Sequence, residues 1–227
     1  MTKFPFTGFD EQSREVADAF STLKRNGIRV NIPDDLKSML APNILFDGGD
    51  GMFKKLVRDA KVYLEYGCGK SSWWAYHNTA AAIRSVDTSR EWIAKINALI
   101  GAETAERLRI EWIDVGPLGD WGKPTTFARR DRFRDYTDWP WTLGLEPDLV
   151  LVDGRFRIAS FLTSIQRAPP GTILLFDDYA DRPLYHVAEE FSAVLDRCGR
   201  QVAFQVDQAA KAKVTDAVIA EFRNVID

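Results

Sequence analysis

The chain has 227 residues, 45% hydrophobic and 28% charged, the balance of a globular chain rather than a disordered or fibrous one. Its 30 Lys and Arg against 33 Asp and Glu leave a net charge of -3, which gives no broad attraction to nucleic acid or anionic lipid. Cys68 and Cys198 form no C-x-x-C pair, Met1-Thr2-Lys3-Phe4-Pro5-Phe6 has no apolar signal-peptide core, and no run approaches the roughly 20 apolar residues of a membrane helix, so the chain reads as soluble and cytoplasmic, without a disulfide framework or zinc site.

In chain order, the pattern predicts a helix from Glu11 to Arg25 and a proline-punctuated stretch through Pro33 and Pro42. A glycine cluster follows at Asp47-Gly48-Gly49-Asp50-Gly51. A short helix, Met52 to Asp59, leads into Lys61-Val62-Tyr63-Leu64-Glu65-Tyr66, a compact run suited to a buried parallel strand. Helices at Ser71 to Thr79 and Arg90 to Ile100 then alternate with strands at Ala82 to Val86 and Leu108 to Ile113. After an aperiodic segment, Gly116 to Leu145, come a strand at Asp148 to Val152, a helix at Ile158 to Arg167, the turn Pro169-Pro170-Gly171 and a strand at Thr172 to Phe176. A helix from Pro183 to Arg197, a strand from Gln201 to Val206 and a terminal helix from about Lys213 complete the chain. Such alternation predicts an α/β fold, a mainly parallel central sheet with helices on both faces and right-handed crossovers. Residues 1–60 read as a helical extension packed on a single core domain, 61–227, with 116–145 as an insertion on the substrate side.

In a parallel α/β sheet the ligand crevice lies beyond the carboxyl ends of the strands. Gly67 and Gly69 stand there after the first strand, where small residues let a nucleotide-like ligand approach the backbone, and Ser71 and Ser72 can cap the next helix. Asp87 closes the second strand, where an acid can accept hydrogen bonds from both hydroxyls of a ribose. Glu65 sits one residue before the end of the first strand, and a buried carboxylate needs something to satisfy it.

The run Glu65-Tyr66-Gly67-Cys68-Gly69 resembles the first motif of the class I S-adenosylmethionine-dependent methyltransferases, an acid followed by Gly-x-Gly. The resemblance implies a Rossmann-like fold from Lys61 to Val206 that binds S-adenosylmethionine. It places Glu65 near the ligand's amino group and Gly67, Cys68, Gly69 and Ser71 in the loop beside it. It gives Asp87 with Thr88 the ribose, and Asp114 with Val115 the adenine amine. Lys70 stands where many members carry a third small residue. An NAD-binding domain is the nearest rival, but it wants Gly-x-Gly-x-x-Gly, and here Trp73 and Trp74 follow instead of a third glycine.

Asp153 ends one strand and Asp177-Asp178 another, so three carboxylates converge if those strands are neighbours. Oxygen-only ligands of this kind suit magnesium or calcium. The spacing also resembles metal-dependent O-methyltransferases of the catechol and antibiotic-sugar types, which implies Mg²⁺ held by Asp153, Asp177 and Asp178, lowering the pKa of the hydroxyl to be methylated. Arg155 replaces the acid usual in the sugar-modifying members, and Arg157 is close behind. Either arginine can neutralise the aspartates in place of a metal or hold an anionic group of the substrate.

The insertion gathers Trp121, Phe127, Arg129, Arg130, Arg132, Phe133, Arg134, Tyr136, Trp139 and Trp141, a mixture that either lines a substrate wall or forms a homodimer contact. His186 follows Asp177-Asp178 closely enough to act as a general base, while Tyr179 and Trp121 are candidates to touch substrate. These features predict methyl transfer to an oxygen of a small molecule or sugar, with Asp153 or His186 removing the proton. A non-catalytic S-adenosylmethionine-binding module and an NAD-dependent oxidoreductase are the alternatives.

Overall fold

The computed structural model describes residues 45–46, 49–100 and 106–226, and the predicted helix from Glu11 to Arg25 lies outside them. Helix α1 (Asp50–Asp59) turns Met52, Phe53 and Val57 inward. It leads to β1 (Val62–Tyr66), whose side chains are buried from Tyr63 onward. Next come α2 (Lys70–Asn78), β2 (Ala82–Asp87), α3 (Arg90–Ile100) and β3 (Leu108–Trp112). Within the predicted insertion lies α4 (Phe133–Asp138), and the alternation resumes with β4 (Leu149–Val152), α5 (Arg157–Arg167) and β5 (Ile173–Phe176). The chain ends with β6 (Val194–Cys198), β7 (Gln201–Gln205), α6 (Gln208–Lys213) and α7 (Asp216–Phe222).

The strands form one seven-stranded sheet in the order β3-β2-β1-β4-β5-β7-β6. The first five run parallel, while β7 enters antiparallel beside β5 and pairs antiparallel with β6. Reversal of the strand order between β1 and β4 opens the crevice where open α/β sheets bind their ligands. No described helix is long and apolar enough to cross a membrane.

Strand alternation sorts the two faces. Leu64, Tyr66, Val150, Val152, Leu174 and Phe176 belong to a core with Phe133, Tyr136 and the buried side of α5. Tyr63 and Glu65 point the other way, where Phe53 packs edge-on against Tyr63 and Trp74. Glu65 thereby comes to lie beneath the first turn of α2.

One expectation is corrected. The stretch predicted as one helix, Pro183 to Arg197, is a 3-10 segment (Pro183–Glu190) followed by edge strand β6, so the sheet gains a hairpin at Gly199 with φ of 58°. Three consecutive residues of β6 face solvent, so no alternation of apolar residues marked it as a strand. The terminal helix expected from about Lys213 is α7, and the short α6 precedes it; each is opened by a side chain, Asp207 accepting from the Ala210 N–H and Thr215 from the Val218 N–H.

Candidate functional site

All the strand-end residues singled out above reach the carboxyl edge of the sheet, because β1, β2, β3, β4 and β5 run parallel. Gly67 takes φ of 89°, and a Cβ there would fall 2.6 Å from the Gly154 Cα. The loops after β1 and β4 are thus pressed backbone to backbone, and only glycine fits at Gly67. Gly69 is different: a Cβ would meet nothing closer than the Ser71 Oγ at 3.8 Å, so the second glycine leaves open space over the start of α2.

The Glu65 carboxylate is fully buried under this loop. It accepts hydrogen bonds from the hydroxyls of Tyr63 at 2.9 Å, Ser71 and Ser72, and its cross-strand partner is Ser85. Burial pushes its pKa up to about 7, and the hydroxyls pull against that shift. The need for a partner that marked Glu65 in the sequence is met by the chain's own side chains.

Asp87 is half-buried at the end of β2. Its Oδ2 accepts the Cys68 N–H at 3.0 Å and its Oδ1 the Ser89 N–H at 2.8 Å. The Cys68 thiol and the Thr88 N–H add to this set, and the carboxylate stands at the carboxyl end of β2. The glycine turn and this acid stand side by side at the carboxyl edge of the sheet. Cys68 is a buried spacer whose thiol is pushed up by burial and by Asp87 and Glu65. The Cys68 carbonyl accepts from the Trp92 indole, and that of Thr88 from Trp112 at 2.9 Å.

Beyond β3, Asp114 accepts the Gly116 N–H at 3.0 Å and pairs with Arg129, while Val115 is buried. Residues 117–125 form a small hairpin, held by Gly119 N–H to Lys123 O at 2.8 Å and Thr125 N–H to Pro117 O at 2.9 Å. Its tip is tied to the turn after β2 by the Thr88 hydroxyl, which donates to the Gly122 carbonyl at 2.7 Å. Trp121 stands on that tip, 86% exposed and with φ of 59°, a conformation a bulky residue seldom adopts. The remainder of the segment is not a loose loop: Phe133, Tyr136 and Thr137 of α4 are completely buried.

After β4 and β5, Asp153, Asp177 and Asp178 come together, with ligand atoms within 4.8 Å of one another. Three arginines meet them. Arg157, only 3% exposed, pairs with Asp153 at 3.2 Å and Asp178 at 3.1 Å, and donates to the carbonyls of Gly154, Asp177 and Asp153. Arg200 reaches Asp177 and Asp178, each at 3.0 Å, and Arg182 reaches Asp178 at 2.8 Å. Burial raises the pKa of Asp153 and Asp177, neighbouring carboxylates add to the rise, and Arg157 and Arg200 oppose it. Phe156 and Asp178, at the starts of the two following segments, both take left-handed backbone, so strain gathers around this cluster. One Asp177 oxygen, Oδ1, is buried without a hydrogen-bond partner, and so is the Gln201 amide. Pairing of Phe176 with Val202 makes these two side chains cross-strand neighbours, so a turn of the amide would join them. The oxygen donors have the chemistry of a hard cation's site, but three guanidiniums already balance three carboxylates, and magnesium does not fit this arrangement.

Other candidates are placed differently. Tyr179 is fully buried, its hydroxyl donating to Glu189 at 3.1 Å, and it packs in the core instead of facing the crevice because Phe176 and Phe204 hold its ring. His186 lies exposed on the 3-10 segment, its Nε2 3.2 Å from the Tyr179 carbonyl. Arg155 gives its backbone N–H to the Tyr136 hydroxyl at 3.1 Å. Sequence reasoning missed the Arg182 and Arg200 partners and the anchoring role of Tyr136. A signal existed for one of them, since Asp178 and Arg182 share the four-residue spacing of Asp153 and Arg157.

No family model and no curated protein matches this sequence. Among solved structures, a methyltransferase-like protein from Silicibacter pomeroyi is 36% identical across 69% of this chain and 84% of its own, with a TM-score of 0.61. A methyltransferase from Geobacter sulfurreducens is 12% identical over 84% of this chain and 87% of its own, with a TM-score of 0.43. The N-methyltransferase NodS from Bradyrhizobium japonicum is 12% identical over 70% and 94%, with a TM-score of 0.42. The relationship to the Silicibacter protein, joined to the glycine turn after β1 and the acid after β2, makes this chain a member of the class I S-adenosylmethionine-dependent methyltransferase superfamily.

Proposed function

We propose that the chain is a cytoplasmic S-adenosylmethionine-dependent methyltransferase that methylates an oxygen of a small molecule or sugar. The observation that carries this reading is Asp87, an acid at the carboxyl end of β2 held beside the Gly67–Gly69 turn by the Cys68 and Ser89 N–H groups, the place where a ribose is bound in such folds. When bound, the cofactor supplies a methyl group on a positively charged sulfur, and transfer is a direct displacement that needs alignment and removal of one proton. Asp87 binds the ribose, Asp114 faces the adenine amine, and the Gly67–Gly69 turn lets the ligand lie against the backbone. Asp153 takes the proton: its side chain stays 30% exposed while Arg157 fixes its position, and burial makes it a stronger base than an ordinary carboxylate. His186 is the alternative base, and Trp121 and Arg155 are the side chains offered to the acceptor. This route uses no metal.

A second reading is a binding module without turnover. Calorimetric titration of S-adenosylmethionine into the wild type and Asp87→Ala tests the cofactor site. Release of S-adenosylhomocysteine with a panel of hydroxylated acceptors separates enzyme from module. Saturable binding lost in Asp87→Ala, with turnover, is the expected result; absence of binding refutes both readings.

A further inference from the structure

The carboxylate atoms of Asp153, Asp177 and Asp178 lie within 4.8 Å of one another, close enough for a single divalent ion to touch all three. We infer that in this chain Arg157 is a built-in cation standing in for such a metal, so that the cluster works as an arginine-locked unit that binds no divalent ion. The inference deepens the methyltransferase reading and rests on it for the role of Asp153.

Arg157 cannot swing aside. It is 3% exposed, and its N–H groups bind the carbonyls of Asp153 and Gly154 after β4 and of Asp177 after β5. Moving it would leave a buried guanidinium and three carbonyls unsatisfied. From that fixed place it pairs with Asp153 and Asp178, while Arg200 covers Asp177 and Asp178, and Arg182 covers Asp178 again. A dication entering here has to displace the two rim arginines and still remains beside the buried positive charge of Arg157. Magnesium also keeps several of its waters, and Asp177 is 0% exposed, so the innermost ligand has no solvent beside it. What the lock supplies is position: Asp153 is gripped by one oxygen while its side chain stays 30% exposed, so Arg157 is a positioning residue for the base.

The test is titration of the chelator-treated wild type with Mn²⁺, following the free ion by electron paramagnetic resonance. Parallel calorimetry measures S-adenosylmethionine binding with and without chelator. We expect no saturable Mn²⁺ binding and a cofactor affinity unchanged within about twofold by the chelator, a shift below the tenfold that 1.4 kcal/mol represents. One-to-one Mn²⁺ binding that disappears or weakens more than tenfold in Asp178→Ala overturns the inference; binding that persists unchanged in Asp178→Ala lies elsewhere and leaves the lock intact. A cofactor that fails to bind in either calorimetric arm sinks the methyltransferase reading, while the Mn²⁺ result still decides the lock.

Discussion

At Glu65 a carboxylate is shut away from water by the strand that carries it and the helix turn that satisfies it. Burial pushes its pKa to about 7 from the ordinary 4.5, so the folded chain keeps a proton that the unfolded chain gives up between those values. The stabilising contribution is therefore fully present below pH 4.5 and is lost as the pH rises through 7. At 1.36 kcal/mol per unit this amounts to roughly 3 kcal/mol. Urea unfolding of the wild type should lose about that much more than Glu65→Gln between acid and mildly alkaline pH, Asp153 being common to both apart from the smallest cause of its rise, the Glu65 charge; parallel losses would contradict the assignment. Gly154 gives a steric counterpart. A Cβ there would lie 2.0 Å from the Tyr136 hydroxyl, 2.6 Å from the Gly67 N and 2.7 Å from the Tyr66 carbonyl carbon. Gly154→Ala should destabilise by about 1–3 kcal/mol or more, as overpacking does. Adding Tyr136→Phe should not restore the urea midpoint, because the backbone contacts remain. Gly67 and Asp87 were legible in the sequence because their roles follow from where a strand ends. Gly154 was not, because its constraint comes from a loop nearly ninety positions away, and the Arg200 pairing likewise awaited the β6–β7 hairpin.

Among the elements, parallel strands β1, β4 and β5 were readable because both faces are covered and apolar residues run together. Edge strand β6 was not, since it presents Leu195, Asp196 and Arg197 outward in succession and buries little to set its period. The hairpin of residues 117–125 escaped for a different reason: it is closed by a few backbone hydrogen bonds and tied down by Thr88, a residue distant in sequence. That tether makes a prediction. Thr88→Val keeps the shape but removes the donor to the Gly122 carbonyl. Loss of about 1 kcal/mol should speed amide exchange at Gly119 and Thr125 by about fivefold, without change in β1. Equal protection in the variant would show that the hairpin stands without its anchor.

Over the whole molecule, the crevice is where the sheet's two halves meet: β2 and β3 on one side bring Asp87 and Asp114, and β4 and β5 on the other bring the aspartate–arginine cluster. A ligand held by Asp87 against the Gly67–Gly69 turn binds only the folded arrangement, so its binding free energy adds to folding stability. At a cofactor concentration about 100 times the dissociation constant the gain is about 2.7 kcal/mol. For a chain of this size that is roughly 5–10 °C in the thermal midpoint. Asp87→Ala complicates the comparison, because it also releases the Cys68 and Ser89 N–H groups and should lower the midpoint of the free protein. The increment on adding S-adenosylmethionine, not the starting midpoint, is therefore the quantity to compare by calorimetric scanning. An increment present in the wild type and absent in Asp87→Ala places the ligand at the end of β2. Equal increments in both would put it elsewhere on the fold, and the ribose role of Asp87 would fall with that result.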